Sequence, residues 1–199
     1  MIIGIAGQIN SGKNTVGDII CDRWEGITMA FADQLKYFIL QMFPGTMTKD
    51  ELWGPSEERS PVARKLLQEL GTNVARKHDP DVWVHHLLQR ILIFRETGID
   101  PLGLLPCTCK DASIVVTDVR FQNEAIAIRD DLLGCTIKVE RPDNYAHTFD
   151  KDAANHPSEL AVNEIPLTLL HTTIKNDGSL DDLYAKVDDI LVQLEDDRC

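Results

Sequence analysis

Met1-Ile-Ile-Gly-Ile-Ala-Gly7-Gln-Ile-Asn-Ser-Gly12-Lys13-Asn14-Thr15 is the stretch on which the fold turns. Its first six residues form an apolar run of strand length, Gly7 and Gly12 bound a four-residue turn, and Val16, Ile19 and Ile20 follow at helical spacing. The pattern predicts a strand, a phosphate loop and a helix. In the G-x-x-x-x-G-K spacing, backbone N–H groups from Gly7 through Asn10, Ser11 and Gly12 wrap a phosphate, and Lys13 reaches the β/γ oxygens. The helix N-terminus behind the loop adds partial positive charge. An ordinary strand-to-helix turn holding a lysine is the plain alternative, but here both flanking elements that a phosphate loop requires are present. Where such loops usually place a Ser or Thr that ligates Mg²⁺, Asn14 stands, with Thr15 next. Either the Asn14 amide oxygen holds the metal or one of its waters, or Thr15 takes over.

At 199 residues the chain suits one domain, 1–199, large enough to bury a core without disulfides or metals. No charged leader precedes an apolar stretch, and no apolar run approaches a membrane span, so the expected location is cytoplasmic, with no membrane partner. Cys21, Cys107, Cys109, Cys135 and Cys199 are odd in number and scattered, and Cys107-Thr-Cys109 without a second ligand pair is poor zinc spacing. With 20 basic against 32 acidic residues and a net charge of −12, the general field repels polyanions. A nucleic-acid groove is disfavoured, whereas a few converging cations can still hold a small phosphorylated substrate.

Along the chain, Gly26–Phe31 reads as a second strand, and a helix with Leu35, Phe38, Ile39 and Met42 inward runs to Pro44-Gly45. Asp33 and Lys36 then stand near a strand's carboxyl end, where open α/β sheets place ligands. Lys36 is a phosphate contact or a solvated helix lysine. Thr48–Arg59 is a short polar helix and turn, and Ser60-Pro61 starts the next helix as N-cap and first residue. That helix carries Val62, Leu66, Leu67, Leu70 and Val74 on one face and Arg64 and Lys65 on the other. Gly71-Thr72 interrupts it, at a cost near ~1 kcal/mol relative to alanine, which suggests close backbone approach. Asp79-Pro80 caps a helix with Val84, Leu87, Leu88, Ile91 and Leu92 inward and Trp83 at its start, a tryptophan that is core or stacks on a base.

Glu96–Asp111 reads as a surface excursion and a candidate oligomer contact, a homodimer being the simplest case. Ser113–Thr117 is a β-branched run of the buried parallel type, ending in Asp118-Val119-Arg120, where a carboxylate and a guanidinium point towards the phosphate loop or form a strand-end salt bridge. A helix over Asn123–Asp130, a strand over Cys135–Val139 and the exit Arg141-Pro142 follow. From there to about Pro166 the irregular, polar connection with Tyr145, His147, His156 and Glu159 reads as a mobile lid, although His156 and Glu159 could instead cap a small helix. Leu169–Ile174 is the last strand. Ser179 with Asp182 resembles a capping box for a closing helix whose stripe is Leu180, Leu183, Tyr184, Val187, Ile190, Leu191 and Leu194. Five strands alternating with helices predict a three-layer α/β/α domain of the P-loop kinase type with a five-stranded parallel sheet.

With these residues in view, the chain resembles the phage-type deoxynucleoside monophosphate kinases over nearly its whole length. The matching stretches are GQINSGKNT, FADQLK, TKDELWGPSEER, RKLLQELGTNV with DPDVWV, VVTDVRFQNE, VERP and IKNDGSLDDL. An acidic or amide residue between the lysine and a Thr is similar to this branch. Basic residues that some relatives carry within the loop are replaced here by Ile9 and Asn10. The resemblance implies transfer of the ATP γ-phosphate to a deoxynucleoside 5′-monophosphate with Mg²⁺, in the host cytoplasm if phage-encoded. It implies Lys13 and the loop amides for the ATP phosphates, with Asn14, Thr15 and Asp118 around the metal or its waters, or with Asp118 orienting the acceptor instead. Lys36, Arg59, Arg64 and Lys65 would meet the acceptor phosphate or the transferring group. Asp33, Gly71, Thr72, Trp83 and Glu124 would line the acceptor side, and Asp118 and Arg120 the reaction centre. Arg141 and Asn176 to Gly178 would face adenine. Phosphoryl transfer needs two anions aligned and the equatorial charge neutralised, and the acceptor phosphate, already an anion, hardly needs a base. Two other readings are a kinase of the same fold acting on a modified base in DNA or another small acceptor, and a non-catalytic nucleotide-binding module.

Overall fold

The computed structural model describes residues 1–55, 58–105, 110–142 and 156–196. Contacts divide the chain into two compact units, Met1–Met29 with Ala112–Cys199, and Ala30–Asp111.

The first unit holds the sheet. Strands β1 (Ile2–Ala6), β2 (Ile27–Met29), β3 (Ile114–Val119), β4 (Cys135–Glu140) and β5 (Thr172–Lys175) pair in the order β2-β3-β1-β4-β5, every pair parallel. This is the five-stranded parallel sheet expected. β1 is central, with Ile3 opposite Val115 on one side and Cys135 on the other. Successive side chains of a strand face opposite ways. Ile3 and Ile5 therefore join Val16, Ile19 and Ile20 of α1 (Lys13–Trp24) and the stripe of the C-terminal helix in one buried cluster. On the other face a Cβ at Gly4 would lie 2.4 Å from Ile128 Cδ1 of α6 (Gln122–Asp130), so glycine lets that helix approach. Helices on both faces make the three layers. Each fully buried aliphatic side chain contributes about 1.5–3 kcal/mol, and this cluster anchors the loop between β1 and α1.

The last strand begins at Thr172, not Leu169, because Leu167–Leu169 forms a 3₁₀ turn that follows Pro166. Short α7 (Pro157–Leu160) runs into a second 3₁₀ turn, Ala161–Glu164. The helix allowed for at His156 is thus present, with His156 as its N-cap. Residues 143–155, with Tyr145, His147 and half of the expected lid, lie outside the described residues. Helix α8 (Leu180–Asp196) carries the predicted cap: Ser179 N–H donates to Asp182 Oδ2 at 2.8 Å, and Asp182 N–H donates to Ser179 Oγ at 3.1 Å. Its stripe is buried at Leu183, Val187, Ile190, Leu191 and Leu194 and half-buried at Tyr184, but Leu180, in the first turn, is 56% exposed.

The second unit is helical: α2 (Asp33–Met42), α3 (Lys49–Trp53), α4 (Pro61–Gln68) and α5 (Val82–Thr97). Thr48 and Ser60 cap α3 and α4 as expected, accepting from Glu51 N–H and Ala63 N–H. Gly71 does not end α4. The chain continues as a π-helical segment, Glu69–Arg76, of the kind that often marks functional sites. Five positions read on apolar stripes are corrected. Leu92 of α5 is exposed, because Arg90 and Phe94 occupy the buried side with Leu87 and Ile91. Val62 and Val74, near the two ends of the α4–π run, and Phe38 and Met42 of α2 are also exposed. The segment read as a loop from Glu96 begins at Gly98, which ends α5 in the left-handed region, and Cys107 and Cys109 lie outside the described residues.

Among the described residues no helix is long and apolar enough to cross a membrane.

Candidate active site

The loop after β1 is shaped by backbone conformations its residue types favour. Gly12 sits at φ 98° and Asn10 at φ 59°, and Asn tolerates the left-handed region better than most side chains. A Cβ at Gly12 would lie 2.4 Å from Asn176 Nδ2, so glycine is required there on both counts. Asn176 in turn donates to Ser11 C=O at 2.9 Å, bracing the loop from the segment after β5. Lys13 is buried, and its Nζ donates to Gln8 C=O at 2.5 Å. Burial, reinforced by the nearby Arg120 guanidinium and only partly offset by Asp118, pushes the Lys13 amine down to about 7. Ser11 Oγ is buried with no hydrogen-bond partner among the described residues. A desolvated amine, an orphaned hydroxyl and the free N–H groups of a helix start fit a chain of phosphates. Asn14 and Thr15 are exposed at that helix start. Among the described residues no three His, Cys, Asp or Glu side chains cluster as a metal site. One carboxylate, Asp118, with two neutral oxygens suits Mg²⁺, which keeps waters and shares phosphate oxygens.

Arg120 lies just past β3 and is held at both ends. Glu124, buried at the third position of α6, accepts from the Arg120 N–H at 2.7 Å and the Phe121 N–H at 3.1 Å. The structure therefore gives Glu124, expected on the acceptor side, the work of a helix cap. At the other end, the Arg120 guanidinium pairs with Glu159 Oε1, while Glu159 Oε2 accepts from the Ile9 N–H of the phosphate loop at 2.8 Å. Asp118, Arg120 and Lys13 thus share one locality within the first unit, and Glu159 joins Arg120 to the loop. Arg141 is exposed at the exit of β4, as is Gly178 after Asn176.

In the second unit Asp33 is a structural hub. Its oxygens accept from Trp53 Nε1 at 2.8 Å, Ala30 N–H at 2.9 Å and Arg90 Nη1 at 2.6 Å, and Lys36 Nζ stands 3.9 Å away. Arg90 also donates Nε to Asp100 Oδ1 at 2.8 Å and Nη2 to Oδ2 at 3.1 Å. Asp100 further accepts from Leu102, Leu104 and Leu105 N–H groups, so the start of the 98–111 loop is anchored on a buried ion pair. Lys36 also lies over the Trp53 ring, 5.6 Å from its centroid. Arg59, expected on a phosphate, donates to the carbonyls of Leu52 at 2.9 Å and Glu51 at 3.3 Å and so closes the end of α3. Arg64 and Thr72 are half-buried and Lys65 is exposed. Trp83 is buried, and its indole N–H donates to Gly71 C=O at 3.0 Å, within the π segment that displaces backbone hydrogen bonds. The close approach read from the glycine is to Leu35 of α2, whose Cδ2 would lie 2.6 Å from a Cβ at Gly71. Trp83→Phe removes the donor and leaves a buried carbonyl, so unfolding in urea should show a loss of about 1–2 kcal/mol. A loss below ~0.5 kcal/mol would mean that the helix ladder re-forms around Gly71.

Sequence reasoning missed Arg90, Asp100, Trp53 and the partners of Glu159. Arg90 had a signal: it falls three residues after Leu87 on the inward side of α5, where an arginine must be paired.

No protein-family model matches the chain. A protein of Acanthamoeba polyphaga mimivirus named "Putative deoxynucleotide monophosphate kinase" is 27% identical over 203 residues, covering 94% of each chain. Among solved structures, dephospho-CoA kinase from Campylobacter jejuni superposes with a TM-score of 0.53 at 13% identity, covering 100% of this chain and 98% of that one. Shikimate kinase from Acinetobacter baumannii in complex with shikimate gives 0.51 at 13% identity, covering 96% and 93%. The structural likenesses show the fold alone.

Proposed function

We propose that this chain, which has the P-loop kinase fold and a viral relative named for deoxynucleotide monophosphate kinase, is a phosphotransferase converting a deoxynucleoside 5′-monophosphate to the diphosphate with ATP. The observation that carries the reading is the desolvated Lys13 amine, set in the phosphate loop beside Arg120 and Asp118. An acceptor phosphate oxygen attacks the γ-phosphorus, the bond to the β–γ bridging oxygen breaks, and ADP leaves with that electron pair. The chain's own part is electrostatic. Lys13 and the loop amides bind the ATP phosphates, and Arg120 neutralises charge on the transferring group. Asp118, with Asn14 or Thr15, would hold Mg²⁺, which when bound supplies further neutralisation of the phosphate oxygens. Asn176 braces the loop as well as standing where the resemblance places adenine. From the second unit, Lys36, Arg64 and Lys65 are retained for the acceptor phosphate and Thr72 for the nucleoside. Asp33, Arg59, Gly71 and Trp83 support them.

A coupled ADP-release assay across the common deoxy- and ribonucleoside monophosphates tests this. Turnover on at least one free deoxynucleotide, changing only modestly with salt, is expected, because few cations are available to follow a strand. γ-Labelled ATP offered with modified-base DNA provides the contrast. Label entering DNA while every mononucleotide stays unlabelled would overturn the proposal in favour of a DNA-modifying kinase.

A further inference from the structure

We propose that Glu159 is a positioning residue: it fixes the Arg120 guanidinium and the Ile9 corner of the phosphate loop as one preassembled unit before any substrate arrives. The proposal rests on the kinase reading of this site for its catalytic consequence, but its geometry stands in the chain alone. The Glu159 side chain is 6% exposed, so its charge is costly to bury unless matched. Both oxygens are matched, one by the Arg120 guanidinium and one by the Ile9 N–H, and these two donors come from segments 111 positions apart in sequence (120 − 9). Glu124 holds the Arg120 backbone independently. With its main chain and one nitrogen fixed, the guanidinium loses the rotamer freedom that an arginine otherwise gives up on engaging a phosphate.

A guanidinium carries five N–H donors, more than one carboxylate oxygen can accept. Glu159 therefore acts through Arg120 without touching substrate. Removing it should leave the positive charge in place but unaimed, which affects the transition state more than ground-state binding.

Three measurements on the full chain decide the matter. In the free protein labelled with ¹⁵N at arginine, the Arg120 Nη resonances, assigned with Arg120→Lys, should be separately resolved in the wild type. They should collapse to fast rotation in Glu159→Ala, with Glu159→Gln intermediate. In turnover, Glu159→Ala should lower kcat by about 10–100-fold while the KM for ATP and acceptor changes less than about threefold. In an Arg120→Ala background, adding Glu159→Ala should cost less than about threefold more, since the two act as one unit. Arg120 Nη groups that rotate freely in the wild type, independent losses in the double variant, or tighter binding of tripolyphosphate with raised kcat in Glu159→Ala would each overturn the proposal. Failure to phosphorylate any mononucleotide would defeat the kinase reading alone, because the guanidinium resonances still report whether Glu159 holds Arg120.

Discussion

Lys13→Met is expected to abolish useful turnover and at the same time to make the free protein more stable at neutral pH. The first effect follows from losing a charge aimed at the transferring phosphate, at least about a hundredfold in kcat, or about 3 kcal/mol. The second follows from burial. In the folded protein the amine is held near 7, against 10.5 when exposed. Between these values the unfolded chain binds a proton that the folded one does not, so wild-type stability rises with pH across the window from about 7 to 10.5. At and below pH 7 the wild type carries the full penalty, of order ~3–5 kcal/mol before the lost Gln8 contact is deducted. The gain of Lys13→Met should therefore be greatest at pH 6–7 and shrink towards pH 10. Phosphate binding reverses the balance by returning the charge, so ATP binding at pH 8 should take up nearly one proton in the wild type and less in the variant. Calorimetry in buffers of different ionisation enthalpy would show it. A variant with near-normal turnover, or one less stable at every pH, would defeat this account.

Arg90→Ala is expected to be the most damaging single change in the second unit. It removes the shared partner of Asp33 and Asp100 and leaves two buried carboxylates without their guanidinium, a loss of about 3–5 kcal/mol. Burial alone would raise the Asp100 carboxyl, but the Arg90 hydrogen bonds and charge, helped by the loop amides, hold it below the ordinary range. The contribution of Asp100 is accordingly complete above the unfolded carboxylate value, about 3.9, and is lost as pH falls through the lower folded one. In Arg90→Ala the Asp100 carboxyl loses the charge that holds it low and is easier to protonate, so the deficit against wild type should narrow in acid. Urea unfolding at pH 7 and pH 4, with hydrogen exchange in α2 and α5, measures both points. A deficit under ~1 kcal/mol at pH 7 would mean that water reaches the pair.

The features legible in the sequence are those written in local pattern. The Gly7-to-Lys13 spacing, the β-branched run before Asp118 and the Ser179/Asp182 pair each constrain backbone within a few residues, and each appears in the structure. What escaped depends on partners far away along the chain. Glu159 reads as a cap because three neighbours suggest one, whereas its oxygens reach Ile9 and Arg120. Arg59 and Glu124 are ligand contacts by the resemblance and Asp33 by its place near a strand's carboxyl end, and neither signal carries the partners these side chains meet. In the structure, carbonyls, a buried arginine and backbone amides occupy them. Burial at element ends is equally non-local: Leu180 and Val62 fit a stripe but lie where no layer covers them.

The central place of β1 has a consequence for how the chain is made. It is made before the other four strands of its sheet, yet Ile2 pairs with Ile114, 112 positions later (114 − 2), and Ile3 with Cys135. At translation rates of about 5–20 residues per second, the apolar IIGIA segment waits roughly 6–22 s for its first sheet neighbour. Such long-range pairing gives slow, aggregation-exposed folding, so yield on overexpression should respond to chaperone supply and slowed translation more strongly than the stability of the finished protein would suggest.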